Sequence, residues 1–366
     1  MKVVQILPDL EGGGVERGTL EVASALVQAG HQSLVISAGG QMVAELEADS
    51  SEHIQWDLGH KSLFTFRHIW ALRRWLHEQK PDIIHVRSRL PGWVVYLAWQ
   101  GLPAADRPGL VTTVHGLYSV SRYSAIMAKG ERVIAVSETV KRYIAENYPA
   151  TDMARVQVVF RGIEPERFPR GYQPDTQWLQ QWRSDFPQLA GKKVITLPGR
   201  LTRLKGHHDL IDLIDALVSQ GEPVHGLIVG GEDAKRKAYA EELYRTVAER
   251  GLEQHITFTG NRRDIREIYA VSDLVLSLST KPESFGRTSL EALSLGVPLV
   301  GYDHGGVSEI LAALFPAGRV PLKDSQALLQ TVNQLLQQPQ QPAENDRFLL
   351  QTMLSQTLAV YQELRP

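Results

Sequence analysis

Short apolar runs and longer amphipathic stretches alternate along the chain. "KVVQILP" (2–8) is an apolar run of strand length, followed by a glycine-rich turn and by "VERGTLEVASALVQAG" (15–30), whose apolar residues recur at helical spacing. "QSLVISA" (32–38), "DIIHV" (82–86), "LVTTVH" (110–115) and "RVIAVS" (132–137) repeat the strand pattern with helical stretches between them. The rhythm breaks across 160–175, "FRGIEPERFPRGYQPD", where Pro, Gly and charge accumulate as in an interdomain connection. It restarts with "KKVITLPG" (192–199), "VHGLIVGG" (224–231), "HITFTG" (255–260), "DLVLSLS" (273–279) and "VPLVGY" (297–302). Such alternation predicts parallel sheets with helices on both faces. Its restart predicts an α/β protein of two doubly wound, Rossmann-like domains, 1–165 and 166–345. The tail is helical in pattern after an interruption at "QQPQQPAEND", and 346–366 is expected to return as a helix to the first domain. Ligands of such sheets bind beyond the carboxyl ends of the strands, so the loops of both domains are expected to face a central cleft.

The length of 366 residues agrees with two domains, since one core rarely serves so long a chain. A hydrophobic fraction of 43% and a charged fraction of 22% are ordinary for a globular protein, and a net charge of -2 offers no overall attraction to nucleic acid. The chain has no cysteine, which excludes disulfides, thiolate zinc sites and a cysteine nucleophile. The apolar run before Pro8 and Asp9 is too short for a signal peptide, and no stretch reaches the roughly 20 apolar residues of a membrane span. The expected location is the cytoplasm, with any membrane met from its surface.

The chemistry concentrates in a few loops. "KPESFGRTSLEALSLG" (281–296) sets Glu283 and Glu291 eight positions apart around Phe285-Gly286, with a helix predicted to run through "RTSLEALSLG". Two carboxylates near a glycine turn fit a hydrolytic acid/base pair, a ligand clamp or two solvated charges. On one element their backbones stand roughly 10 Å apart, which lacks the facing geometry of a hydrolase and suits a grip on two ends of one elongated ligand. "GRLTRLKG" (199–206) follows a strand and positions Arg200 and Lys205 for a diphosphate, Arg as a planar fork and Lys as a point charge; two surface cations are the plainer alternative. "EGGGVERG" (11–18) fails the dinucleotide fingerprint, because Arg17 stands where the third glycine belongs. Arg87 and Arg89 in "HVRSRLPGW" fit an anionic acceptor, or an arginine pair in a loop, solvated or salt-bridged.

Taken in order, the glutamate pair, "GGGVER", "VHG", "GRLTRLKG", "FTG" and "GGVSE" resemble the landmarks of retaining GT-B glycosyltransferases of family 4, the "group 1" transferases of bacterial cell-envelope and lipopolysaccharide synthesis. The resemblance spans nearly the whole chain. It implies a GT-B fold, a nucleotide-diphosphate sugar as donor with UDP favoured, a glycan or lipid-linked acceptor, and no cofactor or metal. Under it Arg200 and Lys205 neutralise the phosphates, Glu283 holds sugar hydroxyls and Glu291 the ribose diol. His115 sits beside the donor sugar. Gly13, Gly14, Gly199, Arg262, Phe285, Gly286, Arg287 and Thr288 complete the donor site, with Gly305 and Gly306 closing over the sugar. Glu16, Arg87 and Arg89 face the acceptor. The chain departs from the family pattern at Arg161-Gly162, where "NG" is common, and in the shortened "LAALFPAGRVPLKD". The rival readings are a sugar-nucleotide epimerase or phosphorylase on a related fold, a dinucleotide-dependent oxidoreductase and a non-catalytic binding protein.

"FRHIWALRRWLHEQK" (66–80) reads as a helix buried along Ile69, Leu72 and Leu76, with Trp70, Arg73, Arg74 and His77 on its other faces. Basic and aromatic residues together suit peripheral contact with the cytoplasmic face of the inner membrane. An ordinary layer helix with one covered Trp, flanked by Trp93, Tyr96 and Trp99, is the competing expectation.

Overall fold

A computed structural model of the chain describes residues 1–232 and 237–365. Pro366, last residue of the expected returning helix, lies outside the described residues. The chain divides into two compact units, Met1–Gly162 with Leu350–Pro366, and Ile163–Leu349. The expected divisions were 165/166 and 345/346.

The first unit carries strands β1 (Lys2–Ile6), β2 (Gln32–Ser37), β3 (Glu52–Gln55), β4 (Ile83–Val86), β5 (Gly109–Val114), β6 (Arg132–Ala135) and β7 (Val156–Val158). They form a seven-stranded parallel sheet in the order β3-β2-β1-β4-β5-β6-β7. Its helices are α1 (Gly14–Gln28), α2 (Val43–Ala48), α3 (His68–Gln79), α4 (Arg89–Gln100) and α5 (Glu138–Asn147). The second unit contains α6 (Thr176–Asp185), β8 (Lys193–Pro198), α7 (His207–Ser219), β9 (Val224–Val229), α8 (Lys237–Glu249), β10 (Ile256–Phe258), α9 (Ile265–Ala270), β11 (Leu274–Ser277), α10 (Arg287–Ser294), β12 (Leu299–Tyr302), α11 (Gly305–Leu314), β13 (Arg319–Val320) and α12 (Ser325–Gln337). Its six strands, also parallel, follow the order β10-β9-β8-β11-β12-β13. α13 (Leu350–Leu364) belongs to the first unit, where Met353, Val360 and Tyr361 join Val3, Val22 and Leu26 in one core cluster.

The central strands are the ones the apolar runs predict. Every residue of β4, β5, β9 and β12 is buried, as parallel strands covered on both faces require. β3, β7 and β13 had no such signal. They lie at sheet edges, and "EHIQ" of β3 leaves its end residues exposed and the middle half-buried. An edge strand needs no continuous apolar run.

Two expectations for α3 divide. Leu72 and Leu76 are fully buried against the sheet, and Tyr96 and Trp99 of α4 pack on the same cluster. Trp70, however, is not covered: it is 68% exposed, and Trp75 is the tryptophan that packs inward. Arg73 also turns in, lying against Gly101 and donating to the Leu97 carbonyl at 3.5 Å. The apolar stripe fixes which side of the helix is buried; it does not decide which flanking aromatic lies at the boundary.

Candidate active site

In the second unit the carboxyl end of β8 passes directly into Gly199, whose φ of 142° is open to glycine and little else. A Cβ there would lie 3.2–3.3 Å from the carbons of Lys205, so the lysine stem runs over the bare glycine backbone. Lys205 thereby reaches Glu283, which sits beyond β11: Nζ is 2.6 Å from Oε1. Ser279 Oγ donates to the same oxygen at 2.5 Å, and His304 Nε2 donates to the Ser279 carbonyl at 2.7 Å. The Gly306 amide holds the Glu283 carbonyl at 2.8 Å, so side chain and backbone of Glu283 are both fixed. Burial disfavours the Glu283 charge. The Lys205 ammonium, the hydrogen bonds from Lys205 and Ser279 and the nearby His304 outweigh it, and the carboxyl is held below its ordinary value. The Lys205 and Glu283 side chains stay 32% and 23% exposed, within reach of a ligand. An ammonium has three donors, so one spent on Glu283 leaves two for an incoming anion.

Glu291 lies on α10 with its side chain only 13% exposed, and Arg287 Nε approaches its Oε1 at 3.3 Å, one turn away. Tyr269 of α9 ties the two glutamates to one neighbourhood. It is fully buried, and burial together with the charges of Glu291 and Glu283 holds its hydroxyl well above the ordinary range. That hydroxyl has no hydrogen-bond partner among the described residues. Gly286, with φ 102°, starts α10 so tightly that a Cβ would lie 2.7 Å from Val307. Phe285 is buried edge-on against Phe348, and Thr288 is half-buried on the first turn of α10.

The other donor-side residues differ in availability. Arg200 is exposed and has no ion pair among the described residues. Arg203 is spoken for by Glu242, which also meets His208 Nε2 at 3.0 Å. Arg262 is turned away from a free ligand role. Its Nε and Nη2 grip Asp264 at 2.9 and 2.6 Å, and Trp178 Nε1 donates to the same carboxylate at 2.8 Å. Ser279, His304 and Tyr269 had no sequence signal, because each acts through residues far along the chain.

The first unit presents a different set at its carboxyl ends. Gly13 opens α1 with φ 143°, and the Glu16 carboxylate folds back to 2.6 Å from where a Gly13 Cβ would be. Burial, with the Asp9 charge, raises the Glu16 carboxyl despite hydrogen bonds from the local amides. Gly14, exposed at the start of the helix, offers its carbonyl to Arg161 at 3.5 Å. His115 follows β5; its Nδ1 accepts from Arg161 Nη2 at 2.9 Å, which places the ring proton on Nε2. Burial, then the charges of Arg161 and Arg87 and the neighbouring His85, holds its pKa well below ordinary, so the ring is neutral. Arg161, the departure from "NG", thus fixes the tautomer of His115.

Arg87 corrects the sequence expectation. It is 3% exposed, and its Nε and Nη2 donate to Gln5 Oε1 at 2.9 and 2.5 Å, while Gln5 donates to the Thr19 carbonyl at 3.0 Å. It is an interior strut and cannot face an acceptor. Arg89 starts α4 half-buried, donating to Ser124 Oγ at 3.1 Å with its guanidinium over the rings of Tyr118 (4.7 Å) and Tyr123 (5.3 Å). Among the described residues no group of three or more His, Asp or Glu side chains is placed to hold a metal ion, and no helix is long and apolar enough to cross a membrane.

Two Rossmann-like units of matching strand order are the GT-B architecture of glycosyltransferases. The chain belongs to glycosyltransferase family 4: the signature "Glycosyltransferase Family 4" matches residues 12–167 and "Glycosyl transferases group 1" residues 180–347. It is similar to spore coat protein SA of Bacillus subtilis, 24% identical over 83% of this chain and 80% of that one. It is similar to the D-inositol 3-phosphate glycosyltransferase of Jonesia denitrificans, 29% identical over 63% of this chain, but it spans only 58% of that protein's length. Among solved structures, a glycosyltransferase from Rickettsia africae aligns with TM-score 0.85 at 28% identity, over 99% of this chain and 98% of the other. Anabaena HepE, solved with UDP and glucose, aligns with TM-score 0.82 at 23% identity over 99% of both chains, a likeness of fold.

Proposed function

We propose that the protein is a retaining glycosyltransferase that moves a sugar from a UDP-sugar to a glycan or lipid-linked acceptor of the bacterial envelope, lipopolysaccharide among the candidates. The observation that carries this reading is the Lys205–Glu283 contact across Gly199, with Arg200 exposed on the same loop as Lys205. A cation and a carboxylate side by side suit a molecule that is anionic at one end and rich in hydroxyls at the other. Lys205 and Arg200 meet the diphosphate and stabilise it as it departs, so that preorganised positive charge carries most of the catalysis and no metal is required. Glu283 accepts hydrogen bonds from the sugar, and Glu291 takes the ribose diol. Neutral His115 helps position the donor sugar; it is not a general base. Glu16 and Arg89 remain on the acceptor side, and Arg87 is withdrawn.

The UDP and UDP-glucose bound to Anabaena HepE support a UDP-sugar here. The spore-coat name of one relative supports an envelope product. Consumption of nucleotide sugars places the work in the cytoplasm. The test is incubation with a panel of UDP-, GDP- and ADP-sugars and candidate acceptors, following release of free nucleotide diphosphate and the anomeric configuration of the product. UDP release with the anomeric configuration kept is expected. Release of no nucleotide with any donor, or inversion, contradicts the reading.

A further inference from the structure

At the carboxyl end of β5 the His115 ring is held on one side only. Arg161 fixes its Nδ1, while its buried Nε2 has no hydrogen-bond partner among the described residues. Where the imidazole stands therefore depends on the backbone that carries it. That backbone leaves β5 at Val114 and turns through Gly116 to Tyr118, a residue that no sequence motif singles out.

The Tyr118 side chain grips this turn. Its hydroxyl accepts from the His115 amide at 3.3 Å. One edge of its ring lies against Gly116, where a Cβ would stand 3.3 Å from Cε1 and 3.7 Å from Cδ1, so the glycine supplies the space that the ring fills. The Arg89 guanidinium stands over the ring, 4.7 Å from its centroid. Burial raises the hydroxyl above its ordinary range, against the His115 amide and the Arg89 charge, so Tyr118 keeps its proton. Two helices anchor the residue in turn. Tyr143 of α5 donates its hydroxyl to the Tyr118 carbonyl at 2.6 Å. From α4, Arg89 donates to Ser124 Oγ at 3.1 Å and Trp93 Nε1 to the Tyr123 carbonyl at 2.9 Å, which holds the chain beyond Tyr118.

We infer that Tyr118 is a positioning residue for His115: it holds the His115 amide and the glycine after it, and so fixes where the imidazole stands at the end of β5. A tyrosine that merely filled space would need neither a hydroxyl on that amide nor a bare glycine beside its ring. Arg161 sets the tautomer of His115, and Tyr118 sets the backbone from which the ring projects. The value of this for sugar transfer rests on the proposed place of His115 beside the donor sugar; the effect on the ring does not.

The experiment is NMR of the full chain labelled with nitrogen-15 at histidine. The chain has 12 histidines, and the His115 signals are assigned by their loss in His115→Gln. The wild-type ring should show one protonated and one bare nitrogen, as the Arg161 contact requires. Tyr118→Phe keeps the ring and loses the hydroxyl. It should speed hydrogen exchange of the His115 amide about 5-fold, the worth of one neutral hydrogen bond. Tyr118→Leu removes the ring as well, and should draw the two ring-nitrogen signals together, as in a histidine free to exchange tautomers. Wild-type ring signals in a folded Tyr118→Leu would overturn the inference. So would an unchanged amide exchange rate in Tyr118→Phe, which decides the matter if the leucine variant does not fold. With a donor in hand, Tyr118→Leu should lower kcat about 10-fold at unchanged UDP affinity, the mark of lost geometry; weaker UDP binding at full kcat would contradict a role through His115. The ring signals need no substrate, so failure of nucleotide release leaves them standing, and indifferent ring signals leave the transferase reading intact.

Discussion

The two units share a strand order yet treat charge at their carboxyl ends in opposite ways. In the second unit, Lys205 and Glu283 meet at a half-open surface, and Arg200, on the same loop as Lys205, is exposed. In the first, Arg87 is sealed inside against Gln5, and Arg161 is committed to His115 and to the glycine turn. A Cβ on Gly18 of α1 would lie 2.4 Å from Arg161 Nη1, so that guanidinium lies flat on the helix. The same sheet can present its terminal charges to a ligand or use them to brace its own loops. The difference follows from what surrounds each strand end: bare glycine and a short polar loop at β8, and the docked helices α1 and α13 around β4.

The sharpest way to break this contrast is to remove one charge from each unit. Lys205→Ala should lower turnover by about 10²–10³, the loss typical of a group stabilising transition-state charge; near-normal rates would remove Lys205 from the phosphate. Arg87→Ala should act on the fold alone, costing roughly 1–3 kcal/mol in urea unfolding because Gln5 is left unpaired in the interior, with nucleotide affinity unchanged. Should Arg87→Ala instead raise acceptor KM at full stability, the interior assignment fails. Glu291→Ala should weaken UDP by about 10-fold in a calorimetric titration, the worth of a hydrogen bond to a charged group. A smaller effect separates the two carboxyl environments by pH. Because Glu283 is held below its ordinary value of 4.5, its charge stabilises the fold above that pH and ceases to as the pH falls through the depressed value. The stability lost in Glu283→Gln should therefore shrink below about pH 4.5, seen as converging unfolding midpoints. Arg161→Asn should lift the His115 pKa toward ordinary, visible by NMR as a ring that titrates at a higher pH than in the wild type.

Much of the fold was legible because buried parallel strands must be continuously apolar, and β4, β5, β9 and β12 are. β3, β7 and β13 were not legible, since an edge strand can be short and half polar. At the site, Lys205 and Glu283 could be singled out from their place after strand ends, but their direct contact could not. Arg87 and Arg200 also follow strand ends and read alike in the sequence. What separates them is Gln5, 82 positions before Arg87, and Tyr361 of the returning helix, contacts that no local pattern encodes. Tyr269 and Ser279 escaped notice for the same reason.

The central claim is that Lys205, Arg200, Glu283 and Glu291 hold one activated sugar. A crystal structure with a UDP-sugar tests it most directly. The account predicts diphosphate oxygens within about 3 Å of Lys205 Nζ and of the Arg200 guanidinium, sugar hydroxyls on Glu283 and the ribose on Glu291. A nucleotide bound elsewhere, with Lys205 still engaged by Glu283 alone, would contradict it.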